Sequence, residues 1–161
     1  MKFFEDLRIG ERRELGSHTF TAEGIKAFAR RYDPQLFHID EEAAARSHFG
    51  GLCASGWQTG AVCMRLIALG NQRDMAALQA SGQDVPNIGP SPGVRDLRWF
   101  KPVYAGDTIS YALEIKDLRD AGPPGYGLVV SQTTGTNQAG ELVYSAQGAV
   151  FVERKRNRKA Q

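Results

Sequence analysis

Two periodicities divide the chain. In residues 22–32, Ile25, Phe28, Ala29 and Tyr32 recur at the i, i+3, i+4, i+7 spacing of one helix face, with Lys26, Arg30 and Arg31 opposite. In residues 109–116, Ile109, Tyr111, Leu113 and Ile115 alternate with Ser110, Ala112, Glu114 and Lys116, the period-two pattern of a half-buried strand. Between them, residues 55–69 carry apolar side chains on nearly all sides with Arg65 as the only charge, which predicts a helix at the centre of a domain. Weaker alternation predicts a strand over 11–20, and further strands are predicted over 94–104, 126–134 and 141–152. Short helices are expected over 41–46 and 74–80, and the glycines and prolines between Gly82 and Gly93 predict a loop at the rim of a pocket. This order predicts an α+β domain in which a curved antiparallel sheet wraps a long buried helix. The open edge of such a sheet invites a second copy of the chain.

One irregular segment carries a candidate for chemistry. Asp33 precedes Pro34, whose ring disfavours helical backbone at the residue before it, so the first helix is expected to stop at Tyr32 or Asp33. The chain is then expected to run extended to Asp40, an N-cap with Glu41 and Glu42 in the following first turn. An acid, Asp33, and a base, His38, are left free to converge on one point. Read alone, Asp-Pro is a common turn starter and a histidine near a helix start is ordinary surface. At the start of the central helix, Ser55 can cap while Gly56 leaves the first-turn amides open, a natural site for an oxyanion. Ser55 reads as a cap rather than a nucleophile, Trp57 and Trp99 as core, and His18 and His48 as surface residues without a role.

Composition narrows the class. At 161 residues and 42% apolar content, one domain over residues 1–153 with a real core is expected. The absence of any run of about 18 apolar residues argues against a membrane span, and an N-terminus that turns acidic at once lacks a signal peptide's apolar core. A cytoplasmic protein is expected. Cys53 and Cys63 read as reduced core residues. The net charge of +2 conceals an asymmetry, because residues 154–161 hold five of the 20 cations. The remaining 15 cations face 18 anions, a net of −3 over residues 1–153. The basic stretch reads as a flexible, solubilising tail, since no aromatic residues interleave its charges as nucleic-acid binding would favour.

The segment Asp33-Pro34-Gln35-Leu36-Phe37-His38-Ile39-Asp40 resembles the active-site motif of MaoC-like, (R)-specific enoyl-CoA hydratases of the hotdog superfamily. Three further stretches resemble the same family in the same order: Ala54-Ser55-Gly56-Trp57, Ser91-Pro92-Gly93-Val94, and Pro102 to Thr108. The resemblance implies a hotdog fold and a hydro-lyase that adds or removes water across the α,β double bond of an acyl-CoA thioester. It places the acid and base on Asp33 and His38, in either assignment, and a thioester-carbonyl donor near Gly56, with Ser55 beside it. Gln35 follows the proline where the commoner pattern has an asparagine before it, and it stands as an orienting amide. Ser55 replaces a histidine found in many members. No metal and no cofactor beyond the substrate's own coenzyme A are implied, and the expected partner is a second copy, as a homodimer or a dimer of dimers. The rival readings are a hotdog thioesterase, which Trp57–Leu69 disfavours by containing neither Asp nor Glu, and a non-catalytic acyl-CoA-binding module.

Overall fold

In the computed structural model, which describes residues 1–155, the predicted strands assemble into one antiparallel sheet. The strands are β1 (Arg12–Thr19), β2 (Gly93–Trp99), β3 (Thr108–Arg119), β4 (Tyr126–Thr136) and β5 (Leu142–Glu153). Their spatial order is β1-β3-β4-β5-β2, leaving β1 and β2 at the edges. Four helices precede the last four strands: α1 (Ala22–Tyr32), α2 (Leu36–Ile39), α3 (Glu41–Arg46) and α4 (Gly56–Ala80). Irregularities between Glu14 and Gly16, Arg95 and Arg98, and Ile115 and Asp117 interrupt the ladders, the means by which a sheet bends. The sheet curves around α4 in the hotdog arrangement that the resemblance implies. Leu15, Phe20, Ile109, Tyr111, Val143 and Ala146 of the sheet side meet Cys63, Val62, Leu66 and Ile67 of α4 in one core.

Two features of α4 differ from expectation. The helix does not stop at Leu69 but runs through Gly70 to Ala80 as one element of 25 residues. A glycine inside a helix costs about 1 kcal/mol relative to alanine, and here it makes room for Arg13. The Arg13 guanidinium lies so close that a Cβ at position 70 would stand 2.1 Å from it. It also donates to the Asn71 side chain at 2.9 Å and pairs with Asp74, so β1 grips the helix where it was expected to break. The helix ends where Gly82 takes φ +69, with Gln83 N–H bonded to Leu78 C=O and Gly82 N–H to Gln79 C=O, a Schellman closure. Nor is α4 buried all round: Trp57, Met64 and Leu69 are exposed, and Val94, Trp99 and Phe100 on and just after β2 are exposed as well. Among the described residues, no helix is long and apolar enough to cross a membrane.

The greater part of the expected flexible tail, residues 156–161, lies outside the described residues. Arg154 and Lys155 pair with Glu5, Asp120 and Asp6.

Candidate active site

The site is assembled by the joints between helices. Thr21 caps α1 through a bond from Gly24 N–H, and the helix ends at Asp33, whose N–H reaches Ala29 C=O at 2.8 Å. Pro34 stops it there as expected, but the chain does not run extended to Asp40. Gln35 opens the single helical turn α2, and Asp40 closes it before capping α3 through Ala43 N–H at 2.8 Å. That turn carries His38 inward to 5% exposure. The segment before α4 is pinned from the opposite side, by Ala54 N–H to Val103 C=O at 2.7 Å and Ala105 N–H to Leu52 C=O at 3.0 Å. Ser55 thereby starts α4 directly beside Asp33.

Asp33 and His38 face each other, Oδ2 to Nε2, at 3.5 Å. The histidine's other nitrogen, Nδ1, lies 2.7 Å from the Cys53 carbonyl oxygen, which can only accept. Nδ1 therefore carries the hydrogen, and Nε2 is the nitrogen turned to the carboxylate. Asp33 has two further anchors: Ser55 Oγ–H donates to Oδ2 at 2.6 Å, and Gln35 Nε2–H donates to Oδ1 at 2.8 Å. Burial pushes the Asp33 carboxyl up, but the Ser55 and Gln35 hydrogen bonds and the neighbouring His38 outweigh it and hold the pKa below the ordinary carboxylate value. The group stands ready as a carboxylate.

Ser55 has a second bond. Its Oγ accepts the Trp57 N–H at 3.2 Å, capping α4 as expected, so the cap and the brace on Asp33 are the same hydroxyl. Among the described residues the Gly56 N–H has no hydrogen-bond partner. The Gly56 carbonyl is held twice, by Trp99 Nε1–H at 2.9 Å and Thr59 Oγ1–H at 2.6 Å. Asp33, Gln35, His38, Ser55 and Gly56 all line one cavity of about 300 Å³, walled also by Phe49, Cys53, Trp57, Thr59, Trp99 and Lys101.

Trp57 and Trp99 are corrections to the core expectation. They are 60% and 44% exposed and meet edge-on, centroids 5.3 Å apart, at the cavity mouth. Trp99 follows Leu97 on the period-two pattern, but it closes an edge strand and so overhangs the start of α4. The Cys53 carbonyl was not foreseen at all; no sequence signal marks a backbone acceptor. The Cys53 thiol, pushed up to about 11 by burial, is neutral and unsuited to attack. His18 and His48 do not line the cavity. His18 packs edge-on against Phe20, its pKa lowered by burial and by Arg65, and His48 stacks on Phe49.

Comparison with known proteins agrees with this architecture. Residues 8–146 match the family model described as FAS1-like, dehydratase domain region. A MaoC-like dehydratase from Rhodospirillum rubrum superposes with a TM-score of 0.78 at 35% identity, over 96% of this chain and 99% of that one. The structure described as a monoamine oxidase regulatory protein from Archaeoglobus fulgius gives 0.79 at 28% identity, over 96% and 95%. Mesaconyl-CoA hydratase of Cereibacter sphaeroides is 28% identical over 158 residues, 96% of this chain but only 42% of that protein.

Proposed function

Because the chain belongs to the FAS1-like dehydratase-region family and shares the MaoC-like hotdog fold, we propose that it adds water to, or removes it from, the α,β double bond of an enoyl-CoA thioester in the cytoplasm. The observation that carries this reading is one cavity lined by Asp33 and His38, whose Oδ2 and Nε2 lie 3.5 Å apart, and by Gly56 at the start of α4. Hydration requires that water lose a proton as it attacks the β-carbon, that the enolate oxygen be stabilised, and that a proton reach the α-carbon. Asp33 and the Nε2 of His38 hold the water between them and pass its proton, a pair of titratable groups suited to both transfers. Gln35 and Ser55 keep the carboxylate aimed, and the Cys53 carbonyl keeps the imidazole aimed. The Gly56 amide, at the positive end of the α4 dipole, receives the thioester oxygen as it gains charge. Coenzyme A enters as part of the substrate, and no other cofactor takes part in these steps.

Met64 and Leu69 of α4 and Val94 of β2, exposed, apolar and outside the site cavity, fit a second copy of the chain, and the protein acts as a homodimer or a dimer of dimers.

Crotonyl-CoA tests the reading. The expected result is loss of the enoyl absorbance without release of free thiol; thiol appearing instead assigns the protein to the thioesterases. Asp33→Asn and His38→Ala are each expected to reduce turnover by about 10²–10⁴-fold while leaving the circular dichroism spectrum intact. Unchanged turnover in both removes these residues from the reaction.

A further inference from the structure

Three hydrogen bonds run in one sense from the cavity mouth to Asp33. Trp99 Nε1–H donates to the Gly56 carbonyl at 2.9 Å. The N–H of that same peptide group, belonging to Trp57, donates to Ser55 Oγ at 3.2 Å. Ser55 Oγ–H in turn donates to Asp33 Oδ2 at 2.6 Å. The Gly56 carbonyl and the Trp57 N–H share one planar, resonant amide, so a donor on the oxygen draws electron density from the nitrogen and makes its N–H a better donor. Hydrogen bonds linked in this way polarise one another. A serine hydroxyl has a single hydrogen, and here it is engaged by Asp33, so the polarisation ends on that carboxylate.

Neither burial nor the needs of the helix accounts for the indole's place. Trp99 is 44% exposed at the end of an edge strand. Thr59 Oγ1–H, from within α4, already donates to the Gly56 carbonyl at 2.6 Å, so that oxygen has a partner without Trp99. Gly56 is what admits the ring, since a Cβ there would stand 2.5 Å from it. Trp57, the other indole at the mouth, enters the chain of bonds only through its backbone N–H. The charged and titratable groups around Asp33 are His38 of α2, Arg30 and Arg31 in the last turn of α1, and Cys53 and Lys101, which line the same cavity. Trp99 hydrogen-bonds to the Gly56 carbonyl instead, so its influence on Asp33 passes through the peptide.

We propose that Trp99 is a positioning residue: through the Gly56–Trp57 peptide and the Ser55 hydroxyl, its indole N–H holds Asp33 as the carboxylate that moves protons in the reaction. This rests on the part given to Asp33 above. The test is an NMR titration of the Asp33 side-chain carboxyl in the full chain. Trp99→Phe keeps an aromatic ring and removes the N–H. The carboxyl is then expected to titrate about 0.3 pH units higher, the order set by a strengthening of roughly 10–30% per linked bond. Trp57→Phe, which leaves every bond of the relay in place, keeps the midpoint where it was. A midpoint unmoved by Trp99→Phe, or moved equally by Trp57→Phe, overturns the relay. Should Trp99→Phe fail to fold, benzothienylalanine at position 99, with sulfur in place of the N–H, is read in the same way. On crotonyl-CoA the acid limb of kcat/KM moves to higher pH with the carboxyl. A lowered plateau above an unmoved limb gives Trp99 a merely structural part and also overturns the relay. If crotonyl-CoA is not consumed at all, it is the hydratase reading that fails, and the NMR titration decides the relay on its own.

Discussion

The start and the middle of α4 each seat a side chain from elsewhere in the fold against a glycine. At Gly56 a Cβ would come within 2.5 Å of the Trp99 indole, and at Gly70 within 2.1 Å of the Arg13 guanidinium. The distances are alike but the neighbours are not. The indole is a rigid ring tied to the Gly56 carbonyl, and it walls a cavity onto which the first turn of the helix opens. The guanidinium is the far end of a flexible side chain already engaged by Asn71 and Asp74. A glycine at the helix start is therefore bound up with the site, whereas the same residue fourteen positions on serves the attachment of β1. What approaches a glycine, rather than the glycine itself, decides its part.

Three substitutions break this comparison in order of effect. Gly56→Ala retains the backbone amide, but its methyl forces the indole away and shifts the first turn. A loss of about 10²–10³-fold in kcat, the scale of one misplaced oxyanion donor, is expected on crotonyl-CoA. Activity within twofold of the unmutated protein would show that the indole and the amide are independent.

Ser55→Ala acts at the same end but through charge. Burial raises the Asp33 pKa and Ser55 is the first of the groups that pull it back down, so removing the hydroxyl lifts it. Asp33 works as a carboxylate, and the acid limb of the kcat/KM profile is therefore expected to move to higher pH. An acid limb that stays put would separate Ser55 from Asp33. Stability follows the same sign. With its folded-state pKa below the unfolded value of about 3.9, Asp33 contributes stability above about pH 4 that fades as pH falls through the folded pKa.

Gly70→Ala is the smallest perturbation. Alanine favours the helix by about 1 kcal/mol, and Arg13 has room to swing outward. Unfolding free energy is expected to change by no more than about 1 kcal/mol, with turnover of crotonyl-CoA unaltered; a large loss of turnover would tie the middle of α4 to the site.

The helices and strands were legible where a period repeats. Ile109, Tyr111, Leu113 and Ile115 set β3, and Ile25 and Ala29 set the buried side of α1, with Phe28 half-buried. Tyr32, expected on that face, is 62% exposed because the helix ends there beyond the core. Pro34 stops α1 and Asp40 caps α3 as their chemistry requires. The turn α2 was not legible, because four residues are too few to display a helical period. The continuation of α4 through Gly70 was hidden for another reason: the compensating contact comes from Arg13, 57 positions earlier in the chain. Trp57 and Trp99 show that hydrophobicity reports a preference for burial without saying which surface supplies it. Among the site residues, Asp33 and His38 could be found from their spacing and surroundings. The hydroxyl of Ser55 could be named, but that it braces Asp33 depends on where α1 meets α4.

The paired indoles at the cavity mouth also have an optical consequence. Trp57 and Trp99 are the two tryptophans of the chain, and both stand at one entrance, in contact with each other. Tryptophan emission from this protein consequently arises at the doorway of a single cavity, from rings that are partly wet when nothing is bound. Any thioester that passes between them and displaces that water alters the colour and intensity of the light, without a label and without turnover.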